Sequence, residues 1–509
     1  MNKIQFIFFF LMIQICFSQE TDTIAMVVDS VFVENDSMEV ERYSNKLINE
    51  KAIKNTFATI EAIENKQYRK LRIVHLGDSH IQADIETDYI RQSFQNKFGN
   101  AGLGFVFPYK MAGTNGSLLA KMSSDISFDN YRNIKPVDTL PVGLSGIAFY
   151  TKKTDFSIEL KVKDEYKFNS IRVVTPKNVN SFFVANNFEV INEVVETEVP
   201  KIIPKKITGY KTKTTTKTIN HKIKRGEALS IIADKYNVSV SQIKKANGLK
   251  SDRINMGKTL KIPTTVIEKI AIEEPDTNDM ASLETEIITK EVTRKQFSIL
   301  DQIEYPFSFD YYNPMAMDQI FLVPNKSCMD YALNGVVLEK DKPGIIYSAI
   351  GVNGAKCSDF NKYSLFFEQL PALEPDLFII SFGTNESFDK LENDEFINEL
   401  NELIDNIRLF NVNAEILVTT PQPSQFGRKY KNHLVEQYAK SIIDQAEIKN
   451  YAVWDMYYDL GGANKVNANY KAGLLSSDKV HYTHKGYKKQ ADDFFDAFMQ
   501  SYSFFKSTR

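Results

Sequence analysis

Ile73-Val74-His75-Leu76-Gly77-Asp78-Ser79-His80 is a short apolar strand that breaks in a Gly-Asp-Ser turn. A helical pattern follows over roughly 84–98. A strand of this kind, running through a tight turn into a helix, opens an α/β unit. The turn can also lift a serine hydroxyl above the end of a sheet, where a base can reach it. The same residues make an ordinary strand-to-helix turn with a serine cap, so the turn alone leaves both readings open.

Working outward, residues 46–65 place Leu47, Ile53, Phe57, Ile60 and Ile63 at helical spacing, which predicts a helix leading into the strand. The α/β style resumes at residue 345. Ile345–Ile350 reads as a strand running into Gly351-Val352-Asn353-Gly354-Ala355. Asp376–Phe382 is apolar almost throughout, as a parallel strand covered on both faces should be, and ends in Gly383-Thr384-Asn385-Glu386. A helix over 392–410, a strand over 415–419, a helix over 430–448, a strand near Val453 and a helix over 485–500 follow.

The intervening stretch differs. Phe156–Val162 and Ser170–Val174 alternate as antiparallel strands with one wet face, and Gln319–Val323 returns to that style. Two segments inside it, 199–220 (rich in Lys and Thr) and 264–293 (polar and acidic), read as linkers. They enclose His221–Pro263. There Arg225-Gly226-Glu227-Ala228-Leu229, Tyr236-Asn237-Val238-Ser239, Ala246-Asn247-Gly248-Leu249 and Gly257-Lys258-Thr259-Leu260-Lys261-Ile262-Pro263 resemble a LysM domain. Ala228 departs from the threonine or aspartate usual in that family. A βααβ unit this small has room for a shallow groove at most. The resemblance implies binding of N-acetylglucosamine-containing glycans such as peptidoglycan or chitin.

Four blocks stand in order: Gly77-Asp78-Ser79-His80, Gly351-Val352-Asn353-Gly354, Gly383-Thr384-Asn385-Glu386 and Asp478-Lys479-Val480-His481. Their order and content resemble the SGNH, or GDSL-like, hydrolases. The resemblance implies Ser79 as nucleophile, His481 as base and Asp478 as the acid of the triad. It implies an oxyanion hole from Ser79, Gly354 and Asn385, with Gly351 an alternative to Gly354. The chemistry asks for such a set: a serine hydroxyl is a weak nucleophile without a base, and the base needs a partner that fixes its tautomer. His484 is the rival base but lacks an Asp three residues before it. His80 in place of leucine and Glu386 in place of aspartate resemble the subgroup of bacterial peptidoglycan O-acetylesterases.

The expected fold is therefore α/β: an SGNH-type, flavodoxin-like parallel sheet flanked by helices, with an inserted β-rich, sandwich-like domain that itself contains the LysM module. The expected segments are a signal peptide at 1–18, a leader at 19–45, hydrolase parts at 46–110 and 345–509, and β-rich parts at 111–198 and 294–344. Linkers at 199–220 and 264–293 flank LysM at 221–263.

Lys3, the apolar run Ile4–Ile15 and small residues before Gln19 read as an export signal, pointing to a periplasmic or secreted protein. No later run is apolar enough to span a bilayer. A net charge of -3 argues against nucleic-acid binding. Beyond Cys16, only Cys328 and Cys357 remain, too few for a disulfide framework. The expected function is removal of O-acetyl groups from peptidoglycan through an acyl-serine, without metal or organic cofactor. An acetylated sugar is the substrate and the glycan the partner. Alternatives are an esterase or lipase for another acylated glycan or lipid, or a non-catalytic peptidoglycan-binding scaffold.

Overall fold

Strand Lys70–Gly77 lies inside a ten-stranded sheet. The computed structural model describes residues 46–176, 179–200, 206–274, 285–305 and 308–509. The signal peptide and leader expected over 1–45 fall outside them. Six strands run parallel, in the order Asn100–Val106, Gly344–Gly351, Lys70–Gly77, Leu377–Ser381, Glu415–Thr419 and Ala452–Trp454. The chain leaves Lys70–Gly77 toward one side of the sheet and later returns to the other. The carboxyl end of that strand is thus a topological switch point, where ligands of open α/β sheets collect.

Alternation along these strands explains their continuous apolar runs. Ile73 and Ile379 pack on one face with Phe57, Phe94 and Phe498, from helices Lys54–Glu64, Glu86–Phe98 and His484–Ser507. Val74 and Ile380 pack on the other with Leu400, Ile404 and Tyr438, from helices Asn393–Phe410 and His433–Gln445. With both faces covered, both sets of alternate positions are mostly apolar. One polar line crosses this sheet. His75 shares hydrogen bonds with Tyr347 Oη through Nδ1 (2.7 Å) and with Ser381 Oγ through Nε2 (2.7 Å). Thr419 Oγ1 continues it to Ser381 Oγ at 2.8 Å. Burial, with Arg91 nearby, pushes the His75 imidazole down to about 3, so the ring is neutral.

A β-rich region is present, but it is not walled off from the hydrolase sheet. Gly335–Glu339 pairs antiparallel with Asn100–Val106, and Phe168–Val174, Ser308–Met317 and Gln302–Tyr305 extend the same sheet outward. A second, five-stranded sheet contains Ile158–Val162 and Gln319–Pro324. Its Ile158, Leu160 and Leu322 share one buried cluster with Val74 and Leu76. Alternation reveals that a strand has one wet face; it does not reveal which sheet the strand joins.

The segments expected as linkers are paired strands wherever they are described. Lys206–Lys222 pairs antiparallel with Thr259–Glu274, and Phe182–Pro200 with Thr285–Ile299. The Lys-Thr alternation of 211–218 is a β pattern, because β-branched threonines recur at every second position. Between the first pair, helices Leu229–Tyr236 and Val240–Asn247 close a small core of Ile223, Leu229, Ile232, Ile243, Leu260 and Ile262. Ala228 stands at the first helix's N-cap and offers no side-chain bond there, while Ser239 caps the second. Glu227 accepts from Lys224 N (2.7 Å) and lies 2.8 Å from His221 Nε2, holding the entry turn. Cys328 and Cys357 are free. Among the described residues, no helix is long and apolar enough to cross a membrane.

Candidate active site

Asp78, not Ser79, caps the short helix Ser79–Gln82: its Oδ1 accepts from His80 N at 2.9 Å. The serine-cap reading of the turn is thereby replaced. With the cap supplied by its neighbour, Ser79 Oγ lies 3.1 Å from His481 Nε2. The turn needs Gly77, since a Cβ there would sit 2.5 Å from Ile81 and 2.7 Å from the Ser381 carbonyl.

His481 and Asp478 come from a tight loop before the C-terminal helix, with Lys479 in the left-handed region at φ 58°. His481 Nδ1 lies 2.9 Å from Asp478 Oδ2. Asp478 Oδ1 accepts from Ser476 Oγ (2.7 Å), Val480 N (2.9 Å) and His481 N (3.0 Å). Burial works against the charge, but these donors together hold the Asp478 carboxyl well below the usual carboxylate range. A hydroxyl, an imidazole and an ionised carboxylate thus stand in one hydrogen-bonded line. That line can take a proton from Ser79 and stabilise the imidazolium that results.

His80 lies against this line. Its ring stacks on that of His481, with centroids 4.9 Å apart and planes 28° apart. Its Nδ1 lies 2.8 Å from Tyr487 Oη and its Nε2 lies 2.5 Å from Gln422 Nε2. Burial, with His481 adjacent, pushes the His80 ring down to about 3. Three carboxyls behind the site move the other way. Burial raises Asp78 to about 6, Glu386 to about 7, and Glu86, helped by Asp78, to about 8.

Asn385 opens the short helix Thr384–Phe388 at the end of strand Leu377–Ser381. Its Nδ2 donates to Asp78 Oδ2 (3.0 Å) and to the Ala355 carbonyl (2.9 Å). Glu386, fully buried, accepts from Gly383 N and Cys357 N, both at 2.9 Å, and so joins the third block to the helix after the second. Ser79, Gly354, Asn385, Asp478 and His481 all line one open cavity of about 750 Å³. Gly354 has φ +82° and borders this cavity. Gly351 instead packs against the turn, where a Cβ would lie 2.3 Å from Gln82 N. His484 opens the C-terminal helix and does not line the cavity.

Other lining residues carry little signal in the sequence. Gln82 Oε1 accepts from Asn353 N at 2.6 Å, and Asn353 Nδ2 donates to Asn115 Oδ1 at 2.6 Å. Asn353 and Asn115, the latter from the loop after Asn100–Val106, line the cavity; Gln82 is buried and braces both without lining it. Asn353 belongs to a block and Gln82 follows one, so both were within reach of motif reading. Phe388, which also lines the cavity, carries no such motif.

Two family models match the chain: the LysM domain over residues 221–263 and the GDSL-like lipase/acylhydrolase family over 335–489. The second covers Asn385, Asp478 and His481; Ser79 lies beyond it, on the far side of the insertion. No curated protein matches the chain. Among solved structures, a peptidoglycan O-acetylesterase is similar at 17% identity and a TM-score of 0.51, over 88% of this chain and 95% of that one. An acetylxylan esterase from Geobacillus stearothermophilus is similar at 21% identity over 30% of this chain and 72% of its own, with a TM-score of 0.26. The lipase/acylhydrolase from Enterococcus faecalis gives 18%, 31% and 75%, with a TM-score of 0.24. The full-length likeness extends to the β-rich region and concerns the fold. The chain is an ester-bond hydrolase that carries a GDSL-like lipase/acylhydrolase domain, with a match over 335–489, and a LysM domain over 221–263, in an α/β fold with an additional β-rich region.

Proposed function

We propose that this hydrolase is an exported serine esterase that removes O-acetyl groups from peptidoglycan, held on its polymer by the LysM domain. The observation that carries the reading is the line from Ser79 Oγ through His481 to Asp478 at the mouth of the cavity, in a chain that also carries a glycan-binding type of module. Ser79 Oγ attacks the acetyl carbonyl while His481 Nε2 takes its proton. The carbon–oxygen bond to the sugar breaks, and the same proton passes to the leaving sugar oxygen. Water activated by His481 then hydrolyses the acetyl-serine. The Ser79 and Gly354 amides and Asn385 Nδ2 are the oxyanion donors of this scheme. Asn385 exchanges its bond to Ala355 or Asp78 for the developing anion, in keeping with catalytic bonds that tighten only once substrate is bound.

The experiment is acetate release from O-acetylated peptidoglycan by wild type, Ser79→Ala and Asn385→Ala. Ser79→Ala abolishes release. Asn385→Ala lowers kcat by roughly 10²–10³ with KM little changed, as expected for one oxyanion donor. Equal release by wild type and Ser79→Ala would sink the nucleophile assignment. Release from acetylated xylan but not from peptidoglycan would sink the substrate assignment.

A further inference from the structure

A small hairpin, Gln425–Phe426 paired with Tyr430–Lys431, projects beside the catalytic loop. Two bonds fasten it there. Gln425 N donates to the Lys479 carbonyl at 3.2 Å, and Lys479 Nζ donates to the Arg428 carbonyl at 2.8 Å. Lys479 lies between Asp478 and His481, so the hairpin is tied directly to the loop that presents the base. A ring contact ties it to the cavity as well: Phe426 packs edge-on to Phe388, a lining residue, at 5.1 Å between centroids.

The chemistry of this hairpin is one-sided. Its three-residue turn is Gly427-Arg428-Lys429, followed by Tyr430 and Lys431, and all five are exposed. Lys431 Nζ donates to Asn464 Oδ1 at 2.6 Å, and Lys429 lies over the Tyr430 ring. Among the described residues, neither Arg428 nor Lys429 forms an ion pair. Arg428 also occupies the left-handed region at φ 64°, next to Gly427 at φ 52°. A glycine or asparagine would hold that position at lower conformational cost. Arg428 and Lys429 do not line the cavity themselves; their turn is joined to it through the Phe426–Phe388 contact and to the loop of His481 through Lys479.

We propose that this hairpin is a subsite for an anionic group on the substrate: Arg428 and Lys429 bind a carboxylate carried by the acylated glycan, while Phe388 and Phe426 pack against a sugar ring. The inference rests on the glycan-ester reading above and narrows it. The preferred substrate is an acidic glycan, such as peptidoglycan with its free carboxylates, over a neutral one. Guanidinium suits this task, because its fork matches a carboxylate and is less strongly hydrated than an ammonium. Asn115 and Asn353, which also line the cavity, supply amide groups for sugar hydroxyls.

The test compares wild type with Arg428→Gly/Lys429→Ser on three substrates: soluble O-acetylated peptidoglycan fragments, a neutral acetylated chitooligosaccharide and p-nitrophenyl acetate. Arg428→Gly keeps the turn and the carbonyl that Lys479 grips, so a melting curve like that of wild type is expected. KM for the acidic fragments rises roughly 5–30-fold, the size of one or two solvent-accessible charge contacts, and its dependence on salt weakens. Kinetics on the neutral oligosaccharide and on p-nitrophenyl acetate stay at wild-type values. Unchanged KM for the acidic fragments in the variant overturns the subsite alone. An equal loss on all three substrates also overturns it, by showing a merely structural role. Wild type that releases no acetate from the acidic fragments overturns both the subsite and the substrate reading beneath it.

Discussion

The imidazoles of His80 and His481 lie face to face, 4.9 Å apart, and the buried one is kept neutral. In the proposed mechanism, a charged ring at that distance would oppose the imidazolium formed on His481 as Ser79 attacks. A neutral ring, fixed at both nitrogens by Tyr487 and Gln422, supports it without repelling it. His80→Leu therefore lowers kcat by about 10-fold with little change in KM, within the ~10² that misplacing a catalytic group can cost. His80→Phe, which keeps a stacking ring, recovers part of the loss. Steady-state kinetics on p-nitrophenyl acetate check both; a KM effect without a kcat effect would contradict the positioning role.

Asp478 is held ionised by several donors, of which Ser476 is the easiest to remove. Asp478→Asn lowers kcat by on the order of 10²–10⁴, through loss of the orienting charge and the tautomer it fixes. Ser476→Ala removes one bond and leaves the two backbone donors and His481, so the carboxyl stays ionised across the working range. kcat falls by less than in Asp478→Asn, and the acid limb of the kcat/KM profile does not move. A shifted acid limb would mean that Ser476 alone holds the charge.

Glu386 bridges two buried backbone donors from different blocks, which its long side chain makes possible. It reaches both Gly383 N and Cys357 N. Glu386→Ala leaves both donors buried and unpaired, at about 1–3 kcal/mol each. A melting temperature lowered by several degrees and a reduced kcat are expected. Glu386→Asp, one methylene shorter, keeps one bond and falls between. Denaturant melts of both variants decide this.

The raised carboxyls predict how stability depends on pH. Glu86 and Glu386 have folded-state values of about 8 and 7, above the ordinary 4.5 of a glutamate, so the native state holds more protons than the unfolded chain between these limits. Stability then falls as pH rises through that window. His75 and His80, lowered from 6.5 to about 3, act in the opposite sense, but only below about 6.5. The net expectation is a loss of stability between pH 6.5 and 8. Glu86→Gln, which cannot ionise, should melt higher than wild type at pH 8 and nearly equally at pH 5. Calorimetry at the two values is the check.

Excising 206–274 removes a self-paired ribbon together with the module it carries. Hydrolysis of p-nitrophenyl acetate should survive, while retention on insoluble peptidoglycan falls. Loss of both would mean that the ribbon supports the hydrolase fold.

Much of the site was legible because it sits where strands end. Buried parallel strands read as unbroken apolar runs, so Gly77, Gly351 and Gly383 mark their ends plainly. The reactive residues follow within a few positions. What could not be read depends on contacts distant in sequence. Glu386's reach to Cys357 N, Asn385's bond to Asp78, and the antiparallel strands added to the edge of the hydrolase sheet all require partners tens to hundreds of residues away. The Phe388–Phe426 contact joins two segments that share no motif, and a basic three-residue turn reads as an ordinary solvated loop.

The polar line from Tyr347 through His75 and Ser381 to Thr419 has a consequence for how the site is assembled. Apolar strands packed on both faces can slide along one another with little penalty, since leucine resembles isoleucine wherever it lands. Directional bonds cannot slide, because a slip of one residue sends every side chain to the opposite face. The three strands that deliver Ser79, Gly354 and Asn385 are all threaded by this line. It works as an alignment pin: largely buried and, at His75, uncharged at neutral pH, it sets the ends of the strands level so that the groups of the proposed site arrive at one height.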